Sequence, residues 1–132
     1  MESGLYTLLL ASALAYGSPP PKSIDDYKAS QKETLSACGG DNQSTSSVKG
    51  YSAVMDCLNS HVAVVDARFK VLASEAAKTQ VAALNDIHSA FKAVVASLPP
   101  DPQFERSNAI RLAKFIQQLA EAWARYDRLS VT

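Results

Sequence analysis

Apolar residues recur every three or four positions through two long stretches of this chain, and this spacing predicts amphipathic helices. The first stretch follows Tyr51, Val54, Leu58, Val62, Val65, Phe69, Leu72 and Ala76. The second follows Val81, Leu84, Ile87, His88, Phe91, Val94, Val95 and Leu98. No glycine or proline interrupts residues 51–98, but one helix of this length would measure about 70 Å. We therefore favour two helices with a break near residues 74 to 80 over one long bent helix.

A shorter helix is predicted before these two, from about Ile24 to Ala37. Ser23 and Asp26 form a capping-box pattern at its start, and Gly39-Gly40 ends it. Its apolar face is thin, which predicts a helix at the edge of the core.

The last helix is predicted to begin at Asp101 as the N-cap and Pro102 as the first helical residue. Its apolar positions are Phe104, Leu112, either Phe115 or Ile116, Leu119, Trp123 and Tyr126. We interpret Trp123, the only tryptophan, and Tyr126 as the residues that fix this helix to the core.

These elements predict an all-α fold: a small bundle of three long helices plus a shorter N-terminal helix. A chain of 132 residues with 47% hydrophobic and 20% charged residues is typical of one globular domain. Its formal net charge is zero, so it has no overall positive field that would attract nucleic acid. A nucleic-acid partner is therefore disfavoured.

The N-terminus has the pattern of a secretory signal peptide over residues 1–15. An apolar run from Leu5 ends in Ala13-Leu14-Ala15, a small-x-small cleavage pattern. The run is shorter than the roughly 20 residues that span a bilayer, so no stable membrane span is expected. Residues 16–22 would then be a proline-rich linker and residues 23–132 a single periplasmic or secreted helical domain. The alternative is an uncleaved apolar helix, since Glu2 replaces the usual basic residue.

Two cysteines, Cys38 and Cys57, flank a polar loop over residues 39–50. In an oxidising compartment this arrangement predicts a disulfide, which would stabilise the fold by about 3 kcal/mol. Two unpaired buried thiols are the alternative.

Residue patterns that support catalysis or metal binding are missing from the sequence. His61 and His88 are the only histidines, and neither belongs to an HExxH or a similar ligand motif. We expect both to pack beside apolar faces, and we predict no enzyme activity and no cofactor. Several cations of the last helix form a basic strip that is either a solvated face or a contact for an acidic partner: Arg106, Arg111, Lys114, Arg125 and Arg128, beside Glu105, Glu121 and Asp127.

Two short blocks of sequence suggest a family. The first contains Cys57-Leu58, Asp66 and Phe69, and the second contains Trp123 and Tyr126. In these positions the chain resembles the small periplasmic lysozyme inhibitors of the LprI type. Lys70, Ala120 and the order Asp127-Arg128 depart from that family's pattern, and its final cysteine has no counterpart here.

The resemblance implies a protein that binds and blocks a lysozyme-type muramidase, as an inhibitor or immunity-type protein. The cysteine-flanked loop would suit such a contact, with Asn42, Gln43, Ser44 and Lys49 as its binding residues, because a loop fixed at its base loses less entropy on binding. The alternative is that the loop is an ordinary connection between helices and binds no partner. A second hypothesis is an accessory subunit of a membrane complex whose apolar N-terminal segment is never cleaved.

Overall fold

A computed structural model describes residues 20–39, 48–99 and 105–130. Four helices form the regular structure of this part of the chain: α1 (Ile24–Cys38), α2 (Val48–Glu75), α3 (Lys78–Ser97) and α4 (Glu105–Leu129). The predicted all-α fold, with three long helices and a shorter first one, is confirmed. None of these helices combines the length and the apolar character that crossing a membrane requires.

The break between α2 and α3 lies at Ala76 and Ala77, inside the interval expected from the sequence. Ala77 is extended, with φ −69° and ψ 151°. Its backbone N–H donates to the Gln80 side-chain oxygen at 3.4 Å, and the Gln80 N–H donates to the Ala77 carbonyl at 2.9 Å. The buried Gln80 side chain therefore helps to start α3, and neither glycine nor proline is needed for the break.

Helix α1 packs closely along α2, and α3 packs closely along α4. Their facing sides form the main cluster of buried residues: Tyr27, Val65, Leu72, Ala83, Leu84, Ile87, Phe91, Val94, Leu119, Ala122 and Tyr126. The two apolar stripes predicted for α2 and α3 thus face the core. In α4, Phe115 packs against this cluster whereas Ile116 is 47% exposed, which settles the alternative left open by the sequence.

The start of α1 differs from the prediction. Ser23 is the N-cap residue but makes no side-chain capping hydrogen bond, because its backbone (φ −81°, ψ 1°) is not extended. Its hydroxyl instead donates to a Glu75 carboxylate oxygen at 2.7 Å. The predicted capping box is therefore wrong, and Ser23 links α1 to the end of α2.

The expected position of α1 at the edge of the core is also wrong. Tyr27 is fully buried and lies in the main cluster. The thin apolar face was misleading because Gln31 and Thr34 are buried on the same side. The end of α1 agrees with the sequence: a Cβ at Gly39 would lie 2.7 Å from the Leu35 carbonyl oxygen, a close approach that only glycine permits.

Some predicted features lie outside the described residues. These are the signal peptide, most of the linker, the loop residues Asn42, Gln43 and Ser44, and the start of the last helix at Asp101 and Pro102. The predicted loop is shorter than expected, because the backbone of Lys49 and Gly50 belongs to the first turn of α2. A single glycine destabilises a helix by only about 1 kcal/mol relative to alanine, so Gly50 does not prevent this start.

Candidate functional site

A chain of hydrogen bonds joins the first three helices. The Tyr27 hydroxyl on α1 lies 2.8 Å from His88 Nδ1 on α3. His88 Nε2 lies 3.0 Å from an Asp66 carboxylate oxygen on α2. Because the carboxylate can only accept, Nε2 carries the proton and Nδ1 accepts from the tyrosine hydroxyl. Lys92 Nζ also donates to Asp66, at 3.1 and 3.2 Å to its two oxygens.

The surroundings of His88 favour its neutral form. The Phe69 ring stacks on the imidazole with centroids 4.0 Å apart and planes inclined by 5°. Burial lowers the pKa of His88, although the hydrogen bond to Asp66 and the charge of its carboxylate act in the opposite direction. A neutral imidazole with its proton on Nε2 makes both hydrogen bonds, accepting from Tyr27 and donating to Asp66.

A carboxylate, an imidazole and a hydroxyl that are hydrogen-bonded one to the next resemble a catalytic relay, but the hydroxyl is inaccessible. Tyr27 is fully buried, and this burial raises the pKa of its hydroxyl. A nucleophile or general acid must reach its substrate. The Tyr27 hydroxyl therefore cannot reach a substrate, and the hydrogen bonds that it shares with His88 and Asp66 position helices α1, α2 and α3.

Trp123 joins α4 to the same cluster. Its indole N–H donates to the side-chain oxygen of buried Gln31 at 3.0 Å. Its ring lies 6.1 Å from Tyr27 and meets Tyr126 edge-on at 6.0 Å between centroids. Lys28 Nζ lies over the indole, 5.0 Å from its centroid, a favourable cation–π contact. Trp123 and Tyr126 therefore hold α4 on the core, as the sequence predicted.

The structure brings together four of the six positions on which the sequence resemblance rests. Asp66 and Phe69 contact His88, and Phe69, Trp123 and Tyr126 all pack against the main cluster or belong to it. The other two positions, Cys57 and Leu58, lie at the disulfide. These six positions contribute to the contacts that hold the helices together.

The predicted disulfide between Cys38 and Cys57 is confirmed, with Cα atoms 5.6 Å apart. It links the end of α1 to the first third of α2. Cys38, Val54, Leu58 and Leu98 form a second, smaller buried cluster around it. His61, one turn further along α2, lies 3.7 Å from Cys38 Sγ and 3.6 Å from Cys57 Sγ through its Nδ1 atom.

Helix α4 carries an exposed basic side. Arg111, Lys114, Arg125 and Arg128 are all exposed, and with Gln118 and Glu121 they follow one another at spacings of three and four residues. This spacing places them on one side of the helix. We call these six residues the α4 basic side: it contains four cations and one carboxylate. Of the other residues in the predicted basic strip, the side chain of Arg106 lies outside the described residues.

A groove of about 460 Å³ lies between α2 and α3. Its walls are largely apolar and include Met55, Val62 and Val95, and the Asp66–Lys92 ion pair belongs to its lining. Neither Tyr27 nor His88 lines it, so the groove gives no access to the buried hydroxyl.

Sequence reasoning placed Tyr27 on the thin apolar face of α1 but missed its hydrogen bond to His88. It also missed the buried Gln31 and treated His88 as a packing residue without partners. The spacing of these residues was a signal that could have found Gln31. It lies four positions after Tyr27 and therefore on the same face of α1. Their partners come from α3 and α4, and helical spacing carries no information about such distant contacts.

Comparison of this chain with the models of known protein families, with curated proteins and with solved structures finds no match to any of them.

Proposed function

We propose that this chain is a periplasmic or secreted binding protein that inhibits a lysozyme-like muramidase. The observation that carries the proposal is the α4 basic side, with four exposed cations along one helix and a single carboxylate among them. Such a surface is complementary to an acidic partner and would speed their encounter.

The chemistry of a muramidase fits this surface. These enzymes bind the polysaccharide in a cleft, where two acidic side chains flank the glycosidic bond that is cleaved. A cation of an inhibitor placed near such carboxylates gains electrostatic attraction while it blocks the substrate. The resemblance of the sequence to LprI-type inhibitors makes this enzyme class the first partner to test.

The disulfide supports the proposed location. Stable disulfides form in oxidising compartments such as the periplasm and the extracellular space. The Cys38–Cys57 bond therefore agrees with a chain exported by its N-terminal apolar segment. With both cysteines paired, the oxidised protein also has no thiol that could act as a nucleophile in the described structure.

The loop between the two cysteines is the second contact in this proposal. The disulfide joins Cys38 at the end of α1 to Cys57 within α2. This link restricts how far the ends of the loop can separate, which limits the entropy lost when the loop binds. Asn42, Gln43 and Ser44 would offer polar groups to the partner. Lys49 belongs to the first turn of α2, so its contribution would come from the base of the loop.

An inhibition assay tests the proposal. The purified mature protein should slow the clearing of a peptidoglycan suspension by at least one member of a panel of muramidases from different structural families. The double substitution Lys114→Glu/Arg125→Glu should raise the inhibition constant about tenfold or more, since like charges would then face each other. Raising the salt concentration should also raise the inhibition constant of the parent protein, because salt screens the attraction between the two surfaces.

Lys78→Glu is the matched control for charge. Lys78 is an exposed cation at the first residue of α3, and its reversal should leave the inhibition constant within about twofold of the parent value because it lies outside the proposed contact. Equal weakening by Lys78→Glu would show a nonspecific charge effect. No inhibition across the panel, together with an uncleaved N-terminus in the intact mass from the native host, would favour the membrane-complex subunit instead.

A further inference from the structure

We propose that the reduced form of this protein binds a zinc ion through Cys38, Cys57 and His61. These three residues each offer one ligand atom, and the atoms lie within 4.8 Å of one another. In the oxidised protein the two sulfur atoms are bonded to each other. Reduction would free both as thiolates beside the imidazole, which is the combination of soft and nitrogen ligands that zinc prefers.

The spacing of the ligand atoms fits a tetrahedral zinc ion. Zinc binds thiolate sulfur at about 2.3 Å and histidine nitrogen at about 2.0–2.1 Å, so a sulfur and a nitrogen ligand lie about 3.6 Å apart. His61 Nδ1 lies 3.7 Å from Cys38 Sγ and 3.6 Å from Cys57 Sγ. His61 Nδ1 is therefore already at a suitable distance from both sulfurs, which would have to separate from each other by side-chain rotation.

Glu33 could orient the histidine after a small movement of its exposed side chain, which lies beyond hydrogen-bond distance in the oxidised protein. Its carboxylate oxygen lies 4.0 Å from His61 Nε2, on the ring edge away from the sulfurs. In the oxidised protein, Nδ1 also lies 3.0 Å from the Cys57 carbonyl oxygen, to which a protonated Nδ1 donates. Zinc binding would require the other tautomer, with the proton on Nε2 directed at Glu33. Carboxylate partners of this kind commonly fix metal-binding histidines.

The site can be reached from solvent. Cys57 and His61 are partly exposed, whereas Cys38 is 1% exposed. A pocket of about 290 Å³ between α1 and α2 is lined by His61 and Glu33, among others. Neither cysteine lines this pocket, so a zinc ion would approach along His61, with a water molecule as its fourth ligand. A reductant would attack Cys57 Sγ first, because Cys57 is the more exposed of the two cysteines.

The reduction is a balanced exchange with a dithiol reductant. One thiolate of the reductant attacks Cys57 Sγ and breaks the bond to Cys38, which leaves as a thiolate. The second thiol of the reductant then attacks its own mixed disulfide and releases Cys57. The reductant becomes a disulfide, two electrons pass to the protein sulfurs, and the two thiol protons are released again when zinc binds.

Cobalt(II) is the probe for this site. The full chain is reduced with a dithiol, freed of it by gel filtration without oxygen, and titrated with Co²⁺. We expect one equivalent of Co²⁺ to give a thiolate-to-cobalt charge-transfer band and the visible bands of tetrahedral cobalt, both removed by one equivalent of Zn²⁺. The oxidised chain should show neither band.

Three variants locate the ligands. Glu33→Gln should weaken zinc binding by about tenfold or less, because this outer carboxylate is exposed and lies 4.0 Å from the ring nitrogen. His61→Ala should weaken it further and change the cobalt spectrum, because a ligand itself is lost. Ser52→Ala, an exposed position on α2 away from the three ligands, is the matched control and should bind zinc like the parent.

Far-ultraviolet circular dichroism accompanies each titration. Zinc should restore any helicity that reduction removes from the parent chain. The proposal is overturned if the reduced parent shows no charge-transfer band, if His61→Ala gives the parent spectrum and affinity, or if a reduced, unfolded chain stays unfolded with zinc. Inhibition of a muramidase is not part of this test, so its failure and that of the proposed function are distinguishable.

Discussion

The two buried clusters of this bundle are stabilised by different means. Among the residues that the structure describes, eleven buried ones from all four helices pack together at the Tyr27 cluster. Hydrogen bonds run there from Tyr27 through His88 to Asp66. At the disulfide, the cluster contains four buried residues of the described part of the chain, and a covalent bond joins α1 to α2.

The difference shows how a small domain can compensate for limited burial. A cluster with few buried side chains gains little free energy from removing apolar surface from water. A disulfide adds stability mainly by restricting the unfolded chain, independently of the number of contacts. The larger cluster instead uses buried polar groups, whose loss is costly because each partner is left unsatisfied.

Removing the centre of the larger cluster should have the largest effect. Tyr27→Ala leaves a cavity in the fully buried position and removes the hydroxyl partner of His88. We expect a loss of about 4 kcal/mol in the free energy of unfolding, measured by urea denaturation. Tyr27→Phe keeps the ring and should lose only about 1–2 kcal/mol. Equal losses for the two variants would mean that the hydroxyl, and not the packing of the ring, holds this cluster.

Removing the covalent link should have the next largest effect. Cys38→Ala/Cys57→Ala opens a loop with a sequence separation of 19, and we expect a loss of about 3 kcal/mol in the free energy of unfolding. Hydrogen exchange should increase most at the end of α1 and the start of α2. A uniform increase along all four helices would contradict the division into two separately stabilised clusters.

A smaller effect is expected where Trp123 meets Gln31. Trp123→Phe retains an aromatic ring beside Tyr27 but removes the donor to the buried Gln31 oxygen. The free energy of unfolding should fall by about 1–3 kcal/mol, since a buried acceptor is left without its partner. Thermal unfolding of Trp123→Phe, Gln31→Leu and the double variant measures the loss of stability of each, and the three values form a double-mutant cycle. Strictly additive losses would rule out coupling between these two side chains.

The smallest effect is a pH dependence of the larger cluster. Burial lowers the pKa of His88, and the positive charge of Lys92 lowers it further, whereas the hydrogen bond and charge of Asp66 raise it. Because burial has the largest effect, the folded protein binds this proton less readily than the unfolded chain. Stability should therefore be greatest above the unfolded pKa of about 6.5 and should fall as the pH drops from there through the lowered folded pKa.

Melting temperatures between pH 8 and pH 5 check this dependence. His88→Gln should melt lower than the parent at pH 8 and should show a shallower decline as the pH falls, because the titrating ring is gone. A parent whose stability rises on acidification over this range would show that the attraction of Asp66 outweighs the effect of burial.

The sequence by itself determined most of the secondary structure. Helical periodicity is a local property, so it placed the apolar faces of α2 and α3 and the break between them, which lies at Ala76 and Ala77. The disulfide followed from two cysteines beside one loop. Trp123 and Tyr126 were identified as core contacts because they continue the apolar stripe of α4.

Only the tertiary structure decided how the polar residues are used. Tyr27, Asp66 and His88 come from three helices, and no spacing within one helix could pair them. The partner of Ser23 is Glu75, 52 positions away, although a local cap was expected. The choice between Phe115 and Ile116 depended on the rotation of α4 against α3. Local patterns decide which faces are apolar, whereas the pairing of polar groups depends on distances that arise only when the helices pack.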